Sequence, residues 1–462
     1  MTHLLPRSRP QAQGVPAAAI ARFVRALDDI PHVHTLTIAR HGHVVAEFAR
    51  PPYERDAPHA LYSVSKSFTA IAVGLAIDER RFGLDDRVVD LLADLVPQHP
   101  SPRLEALRVR HLLTMTTGHD AEPWAEDDDW ARGILTAELA FEPGTHWLYN
   151  TPATHLLSQI VQTRTGERLL DYLTPRLFEP LGIVAPTWLQ NPVGVDAGGF
   201  GLSLRVEELA AFGQLLLQRG RWNDRQLVPA EWIDQATSRQ VANGTPSGTS
   251  DWDQGYGFQF WMCRHGAYRA DGAFGQYVVV LPEHDAVVTM TGGLADMALP
   301  LEALWEIVLP ALDTVGEDAE VPAPRPIAPS GGERRDIEAA FEYDGPIRRL
   351  CVSATVLEID GLELRFAPDG WVVGSAGPLL HRNRVYGDHV ALSGGWQADT
   401  FVALLRALED AVTFRLELTS EGRLTITRDV GFEGTHVWEG APSAEPDQSG
   451  SAAVDHHSVV SP

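Results

Sequence analysis

A serine and a lysine three residues apart open a segment that is typical of a buried helix. The segment reads LYSVSKSFT over residues 61–69, and the apolar residues that follow fall on one helical stripe. Residues three apart share a helix face, so Lys66 can reach the Ser63 hydroxyl. The helix N-terminus and burial both disfavour an ammonium, which favours the neutral amine of a general base. The pair is a candidate nucleophile and base; the alternative is a helix cap beside a surface lysine.

The basic residues of the chain contain one lysine. Lysine and arginine together number 37, and every one of them except Lys66 is an arginine. Arginine replaces lysine where only positive charge is needed, but it cannot give up its proton in a protein. Lys66 is therefore a candidate for a site that needs a neutral amine.

The elements around this helix are predicted to form an antiparallel sheet with a helical insertion. The four strand-like runs are Thr35–Ala39, Val44–Phe48, Tyr277–Leu281 and Ala286–Thr291. The first two flank a turn at 40–43 that is typical of a hairpin, and the segments between the pairs are mainly helical. Strands at both ends of residues 16–312 therefore indicate an α+β (α/β) domain whose sheet is built from both ends of the segment.

The rest of the chain is predicted to form a second domain. Residues 313–335 contain VPAPRPIAPSGG and are typical of a Pro-rich linker. Short alternating strands follow, which indicates a small all-β, barrel-like domain over 336–440. Its expected strands are Val352–Ile359, Leu362–Phe366, Val412–Leu418 and Leu424–Thr427. We expect residues 1–15 and the Ser-, Asp- and Pro-rich tail 441–462 to be disordered.

Composition excludes several classes of protein. The net charge is −25 and no basic patch is visible, which argues against a nucleic-acid partner or an anionic membrane surface. Cys263 and Cys351 lie far apart and match neither a disulfide framework nor a metal-ligand spacing. The sequence contains no phosphate-binding or dinucleotide fingerprint, no H-E-x-x-H and no G-x-S-x-G. With no signal-like N-terminus and no long apolar stretch, we expect a cytoplasmic protein without metal or cofactor.

Three motifs in chain order resemble the class C β-lactamase and esterase branch of the penicillin-recognising enzymes, part of the serine β-lactamase and penicillin-binding-protein superfamily. The first is YSVSKSFTAIAVGLAIDE at 62–79, followed by VRHLLTMTTG at 109–118. The second is PGTHWLYNT at 143–151, in which Tyr149 matches the tyrosine that faces the nucleophile in the family's Y-x-N. The third surrounds FGQYVVVLPE at 274–283, which resembles the strand after the family's third motif. The resemblance implies a β-lactamase-like fold over about 16–312.

Two departures from the family pattern bear on the substrate. Thr151 stands where the family has asparagine, and the K-T-G motif of β-lactamases reads Ala270-Asp271-Gly272 here. The cation that holds a β-lactam carboxylate is therefore replaced, and Arg269 is the candidate substitute. Gly272 is kept, and a strand needs a small residue there for close approach of a substrate. The candidate substrate-binding residues are Asn150, Thr151, Arg269, Asp271 and Gly272.

The resemblance implies acyl transfer through an acyl-enzyme. Lys66 and Tyr149 take the proton of Ser63, which attacks an ester or amide carbonyl of a small molecule or short peptide. The backbone N–H groups of Ser63 and Ala273 form the oxyanion hole. Tyr149 then protonates the leaving group and later activates water. Two alternatives stay open: an acyltransferase that uses the same acyl-enzyme, and a catalytically weak, penicillin-binding-like binding protein. The sequence indicates no oligomeric state.

Overall fold

The structure, a computed structural model, contains an N-terminal α+β domain and a C-terminal β domain. It describes residues 3–30, 32–124, 128–245, 247–314, 316, 319–335, 339–382, 385–432 and 434–443. The helices of the first domain are α1 Ala17–Asp28, α2 Val64–Asp78, α3 Val88–Leu91, α4 Pro102–Ala106, α5 Val109–Leu113, α6 Trp130–Thr136, α7 Thr151–Thr165, α8 Leu169–Leu173, α9 Glu179–Leu181, α10 Val206–Leu217, α11 Ala230–Ala236 and α12 Ala298–Ala303. Its strands are β1 Val33–Arg40, β2 His43–Ala49, β3 His59–Ala60, β4 Thr187–Trp188, β5 Leu202–Leu204, β6 Arg221–Trp222, β7 Arg225–Gln226, β8 Trp261–Met262, β9 Tyr268–Gly272, β10 Gln276–Leu281 and β11 Ala286–Gly292.

The central sheet has the order β2-β1-β11-β10-β9-β8, and all its pairs are antiparallel. β1 pairs with β11 through Leu36 and Met290, which joins the two ends of the domain. Every residue of β1, β10 and β11 is buried. The reason is that α1 packs against one face of the sheet and α10 packs against the opposite face. The expected α+β fold, with a sheet built from both ends of the segment and a helical insertion, is confirmed.

Helix α2 lies inside the molecule rather than on its surface. All of its residues from Val64 to Ala76 are buried, and it contacts α7, α8, β9 and β10. Gly74 lets the Trp232 indole approach the helix, since a Cβ at this position would lie 2.3 Å from the indole nitrogen. That nitrogen donates a 3.1 Å hydrogen bond to the Ala70 carbonyl. The helix that begins after Ser63 is therefore fixed from all sides.

The expectation of a disordered N-terminus is wrong for residues 3–15. Leu5 is buried, and the chain bonds to strand β2 through Ser8 N–H to the Val44 carbonyl at 2.9 Å. Arg7 forms salt bridges with Glu47 at 2.8 Å and Glu207 at 2.6 Å. A polar, proline-containing composition suggested disorder, but a few long-range ion pairs and one apolar anchor hold the segment against the sheet.

The C-terminal domain is the expected all-β, barrel-like unit. Its elements are β12 Ala339–Glu342, β13 Arg349–Val352, β14 Val356–Ile359, β15 Leu362–Arg365, β16 Val372–Ser375, α13 Gly377–Arg382, β17 His389–Gln397, β18 Thr400–Ala407, β19 Thr413–Thr419, β20 Leu424–Arg428 and β21 His436–Gly440. Two antiparallel sheets, β12 to β15 and β16 to β21, each follow chain order. The single strand expected over 352–359 is wrong, because Ser353 starts a turn by bonding Val356.

The linker contacts both the first domain and the barrel. Within 313–335, the Ile327 N–H donates to the Pro51 carbonyl at 3.0 Å and Glu333 pairs with Trp396 of the barrel. Of the expected disordered tail, residues 441–443 extend the barrel and 444–462 lie outside the described residues. In the part of the chain that the structure describes, no helix is long and apolar enough to cross a membrane.

Candidate active site

The first turn of α2 presents the Ser63 hydroxyl to Lys66 rather than to the helix backbone. Ser63 occupies the cap position, but its side chain makes no capping hydrogen bond. The Lys66 Nζ donates to the Ser63 Oγ at 2.9 Å. The preceding residue, Tyr62, has a left-handed backbone with φ of 48°, a conformation that non-glycine residues adopt only where surroundings enforce it. The proposed nucleophile therefore sits on a sharply turned, well-packed entry to the helix.

Lys66 is almost completely buried, with 1% of its surface exposed. Besides Ser63, it donates to the Gly199 carbonyl at 2.8 Å. Burial lowers the pKa of the Lys66 ammonium to about 7, while the charges of Glu122 and Asp271 act in the opposite direction and raise that pKa. A large share of the Lys66 side chains is therefore neutral at physiological pH, as a general base requires.

Tyr149 lies beside this pair. Its ring is 4.9 Å from the Lys66 Nζ and stacks on Trp261 with 5.4 Å between ring centres. Burial raises the pKa of Tyr149 well above its ordinary value, and a hydrogen bond with Ser63 only partly opposes that effect. Tyr149 is therefore a neutral phenol at physiological pH, so its hydroxyl can donate a proton more readily than it can serve as a phenolate base.

The two residues after Tyr149 have structural contacts. Asn150 is fully buried and caps α7, because its Oδ1 accepts from the Ala153 N–H at 3.0 Å. Its Nδ2 donates to Thr117 at 3.1 Å. The Thr151 N–H donates to a Glu122 carboxylate oxygen at 2.6 Å. Thr151 lies close to the lysine, since a Cβ on Gly199 would lie 2.7 Å from the Thr151 methyl group and 3.6 Å from the Lys66 Nζ, whereas the Asn150 side chain points into the core.

Strand β9 brings a carboxylate, not a free cation, toward the site. Arg269 is fully buried, and its guanidinium bonds to Asp271 at 2.7 Å and to the Asp251 carbonyl at 2.7 Å. It also lies over the Trp252 ring, 4.6 Å from the ring centre. Burial raises the pKa of Asp271 and the Arg269 charge lowers it. The Arg269 guanidinium, the candidate anion-binding group, is therefore already bound to other groups of the protein.

Gly272 is needed for close packing of strand β9 against the segment that precedes Ser63. A Cβ at this position would lie 2.2 Å from the Leu61 carbonyl oxygen, so β9 can approach the segment before Ser63 only without a side chain. The expected close approach is that of the protein backbone rather than of a substrate. The next residue, Ala273, follows β9 directly. Among the described residues, neither the Ser63 nor the Ala273 N–H donates a hydrogen bond within the chain, so both remain available to an oxyanion.

Sequence reasoning missed three contributors to this site. Glu122 lies in the loop before α6 and raises the pKa of Lys66. Gly199 supplies the second acceptor for Lys66, and a Cβ there would lie 2.7 Å from the Thr151 methyl group. Trp261 forms the aromatic wall behind Tyr149. No local motif identifies these residues as part of the site. The glycine pair at 198–199 and the tryptophan two residues before Cys263 indicate close packing at these positions, but not what packs there.

No cation-binding cluster accompanies the site. Among the residues that the structure describes, no group of three or more histidine, cysteine, aspartate or glutamate side chains could hold a metal ion. The arrangement consists of a hydroxyl, an amine, a phenol and two backbone N–H groups. Such a set can move protons and stabilise an oxyanion during acyl transfer.

Comparisons with known proteins agree with this chemistry. A model of the family described as Beta-lactamase matches residues 20–294, which is more than half of the chain. The 6-aminohexanoate-dimer hydrolase of Paenarthrobacter ureafaciens is 25% identical over 56% of this chain and 72% of its own length. A D-aminopeptidase of Brucella anthropi is 28% identical over 32% of this chain and 31% of its own length. The chain thus spans 31% of the length of this aminopeptidase and 57% of the length of another curated relative.

A solved structure also resembles the molecule beyond the first domain. The crystal structure of SurE has a TM-score of 0.52 and 18% identity, and the match covers 92% of this chain and 98% of that chain. At this identity the likeness concerns the fold. Because the match covers 92% of this chain, that likeness extends beyond the first domain.

Proposed function

The chain belongs to the beta-lactamase family, and from that premise we propose that it is a serine hydrolase that cleaves ester or amide bonds through an acyl-enzyme on Ser63. The observation that carries the proposal is the 2.9 Å contact between the Ser63 Oγ and the Lys66 Nζ, together with burial that lowers the pKa of Lys66 to about 7. A buried lysine with such a pKa is well matched to proton abstraction near neutrality.

In the proposed acylation step, each of the assembled groups has a defined role. Neutral Lys66 accepts the Ser63 proton as the Ser63 Oγ bonds to the substrate carbonyl carbon. The resulting oxyanion receives hydrogen bonds from the Ser63 and Ala273 N–H groups. The bond to the leaving oxygen or nitrogen breaks as that atom takes the Tyr149 hydroxyl proton. The Lys66 ammonium returns a proton to Tyr149, so both side chains regain their starting forms.

Deacylation repeats the sequence with water in place of Ser63. Water loses its proton to neutral Lys66, either directly or through the Tyr149 oxygen, and attacks the acyl carbon. The acid product leaves as the Ser63 Oγ recovers a proton. This role for Tyr149 as a proton donor and relay agrees with the raised pKa of its phenol.

The charges around Lys66 favour substrates without a carboxylate near the scissile bond. Glu122 and Asp271 both act on Lys66, and the Arg269 guanidinium is occupied by Asp271. Among the described residues of the site, a substrate carboxylate would meet the Glu122 and Asp271 carboxylates and no arginine that is free to bind it, whereas a neutral or amine-bearing acyl group would not be repelled. We therefore propose small-molecule esters, amides or short peptides as substrates, and Arg269 as a residue that positions Asp271.

A substrate panel tests this proposal. The full chain and its Ser63→Ala variant are compared on p-nitrophenyl butyrate, D- and L-alanyl p-nitroanilide, and nitrocefin. We expect ester or amide turnover to exceed nitrocefin turnover and to vanish in the variant. Nitrocefin as the best substrate would contradict the substrate class, and no turnover of any compound would favour the binding protein. Adding an amine acceptor distinguishes hydrolysis from acyl transfer, because transfer yields the acylated amine.

A further inference from the structure

Within its described residues, the C-terminal domain has ten strands in two sheets, and the edges of these sheets approach each other on both sides to form a barrel-like unit. On one side the chain after β12 meets the chain after β21, where Tyr343 forms a bridge with Pro442 and the Ser443 N–H donates to the Glu342 carbonyl at 2.7 Å. On the other side, the chain after β15 bonds to β17 through the Gly394 N–H. A closed barrel of eight strands already has room for one small ligand, and the diameter grows with strand number. A ten-stranded barrel is therefore wide enough to hold one.

A pocket of about 400 Å³ opens into this barrel, and the exposed His436 and Val437 are among the residues that line it. Its walls come from both sheets and from α13, and they are mostly apolar, with Ile359, Leu380 and Phe414 among them. Phe414, Ile426 and Trp438 stay only partly buried although they point inward. A volume of this size falls in the range of small-molecule sites, which is about 300–1,000 Å³.

One cation faces this apolar space. Strand register places Arg428 in the inward row Leu405, Phe414, Arg428 and His436. Of the described residues that line the pocket, Arg428 and His436 are the two with a titratable side chain. The Arg428 Nε donates to the Val430 carbonyl at 3.1 Å. Within the described residues no salt bridge joins Arg428 to a carboxylate. Burial raises the pKa of Asp410 nearby and the Arg428 charge lowers it, but no salt bridge joins the two, and the Asp410 carboxylate already accepts from the Tyr62 hydroxyl and from the Tyr386 and Ala411 N–H groups.

We propose that this barrel binds a medium-chain carboxylate, with the alkyl chain in the cavity and the carboxylate on Arg428. A guanidinium that lines an apolar space and forms no salt bridge is stabilised by an added anion, and arginine binds carboxylates through two parallel hydrogen bonds. The apolar walls accept the chain, since each buried methylene gains free energy. No residue of the first domain is among those that line the pocket, and the proposal does not depend on the proposed function of the first domain.

Calorimetric titration of the full chain with sodium dodecanoate tests the site. We expect saturable binding of one molecule per chain, with affinity rising roughly fourfold for each methylene between octanoate and dodecanoate. Arg428→Gln should weaken dodecanoate at least about tenfold and leave dodecanol unchanged. Ile426→Trp fills the cavity and should weaken both compounds.

Matched variants separate the cavity from the outer surface and from the active site. Thr425→Trp places the same bulk on the outward face of β20, and Arg415→Gln removes an outward cation that pairs with Glu417; both should bind like the parent chain. Ser63→Ala should also bind dodecanoate unchanged. The proposal is overturned if no chain length binds saturably, if Arg428→Gln has no effect on dodecanoate, or if reaction of Ser63 with a fluorophosphonate abolishes binding.

Discussion

Replacing Glu122 with glutamine should lower the pKa of Lys66 and activate the enzyme at acid pH. The Glu122 carboxylate stabilises the Lys66 ammonium and so raises its pKa, and the neutral amide of glutamine keeps the shape without the charge. A nearby charge shifts a pKa by about 1–3 units, and the partial exposure of Glu122 places the effect near the lower limit. A shift from about 7 to about 6 raises the neutral fraction at pH 6 from about 9% to 50%, or roughly fivefold.

The assay is the pH dependence of the acylation rate with p-nitrophenyl butyrate, measured by stopped flow from pH 5 to 9. The parent rate should rise with pH, with a midpoint near 7, because only neutral Lys66 accepts the proton. Glu122→Gln should move that midpoint toward acid pH and leave the plateau above pH 8 within about twofold. Asp120→Asn, which removes an exposed charge two residues earlier, is the control. An unmoved midpoint, or a midpoint moved toward alkaline pH, would refute the assignment of Lys66 as the base.

Three further substitutions follow from the contacts. Lys66→Arg keeps the charge but cannot form a neutral base, so acylation should fall by about 10² to 10⁴ while the melting temperature changes by only a few degrees; a parent-like rate would remove Lys66 from the mechanism. Tyr62→Phe deletes the hydrogen bond to buried Asp410, and a thermal melt should show a loss of about 1.5–3 kcal/mol; an unchanged melt would mean that the bond is not stabilising. Gly272→Ala places a methyl group 2.2 Å from the Leu61 carbonyl oxygen and should lower both the melting temperature and the acylation rate. Ala270→Gly, on the same strand, is the control and should leave the position of Leu61 intact. Equal effects of the two substitutions would contradict the packing argument.

The regular parts of the fold were predictable because local sequence determines them. The turn around Gly42 and the alternating apolar residues on either side specify the β1–β2 hairpin. The valine-rich run of β10 and the turn at 282–285 specify the partner strands. The helix around Ser63 was predictable for the same reason, since its apolar stripe and the spacing to Lys66 lie within one short segment.

Contacts between distant segments were not predictable from one sequence. The Gly199 carbonyl accepts from Lys66 across 133 positions in the chain. The glycine pair at 198–199 indicates a close contact, but it does not identify Lys66 as the partner. Arg269 illustrates the reverse case, because its charge suggested a free anion-binding group while Asp271, two residues away on the same strand, occupies it. Strand alternation places these two side chains on one face, but only the structure shows them paired.

The barrel's relation to the active site was equally hidden. Tyr62 precedes the nucleophile, yet its side chain belongs to the apolar cluster of the second domain together with Phe274. The Ala60 N–H also donates to the Glu409 carbonyl at 2.8 Å. Composition and a Pro-rich linker indicated a separate domain, but they carry no information about which face of that domain meets the first one.

Intact-mass and peptide analysis after treatment with a fluorophosphonate tests the central assignment most directly. The account predicts one adduct per chain, on the peptide that contains Ser63, formed at a rate whose pH midpoint lies near the Lys66 pKa of about 7. Ser63→Ala should remain unlabelled, and Lys66→Arg should be labelled at least about 10² times more slowly. A parent chain without an adduct, or with its adduct on another residue, would contradict the assignment of Ser63 as the nucleophile.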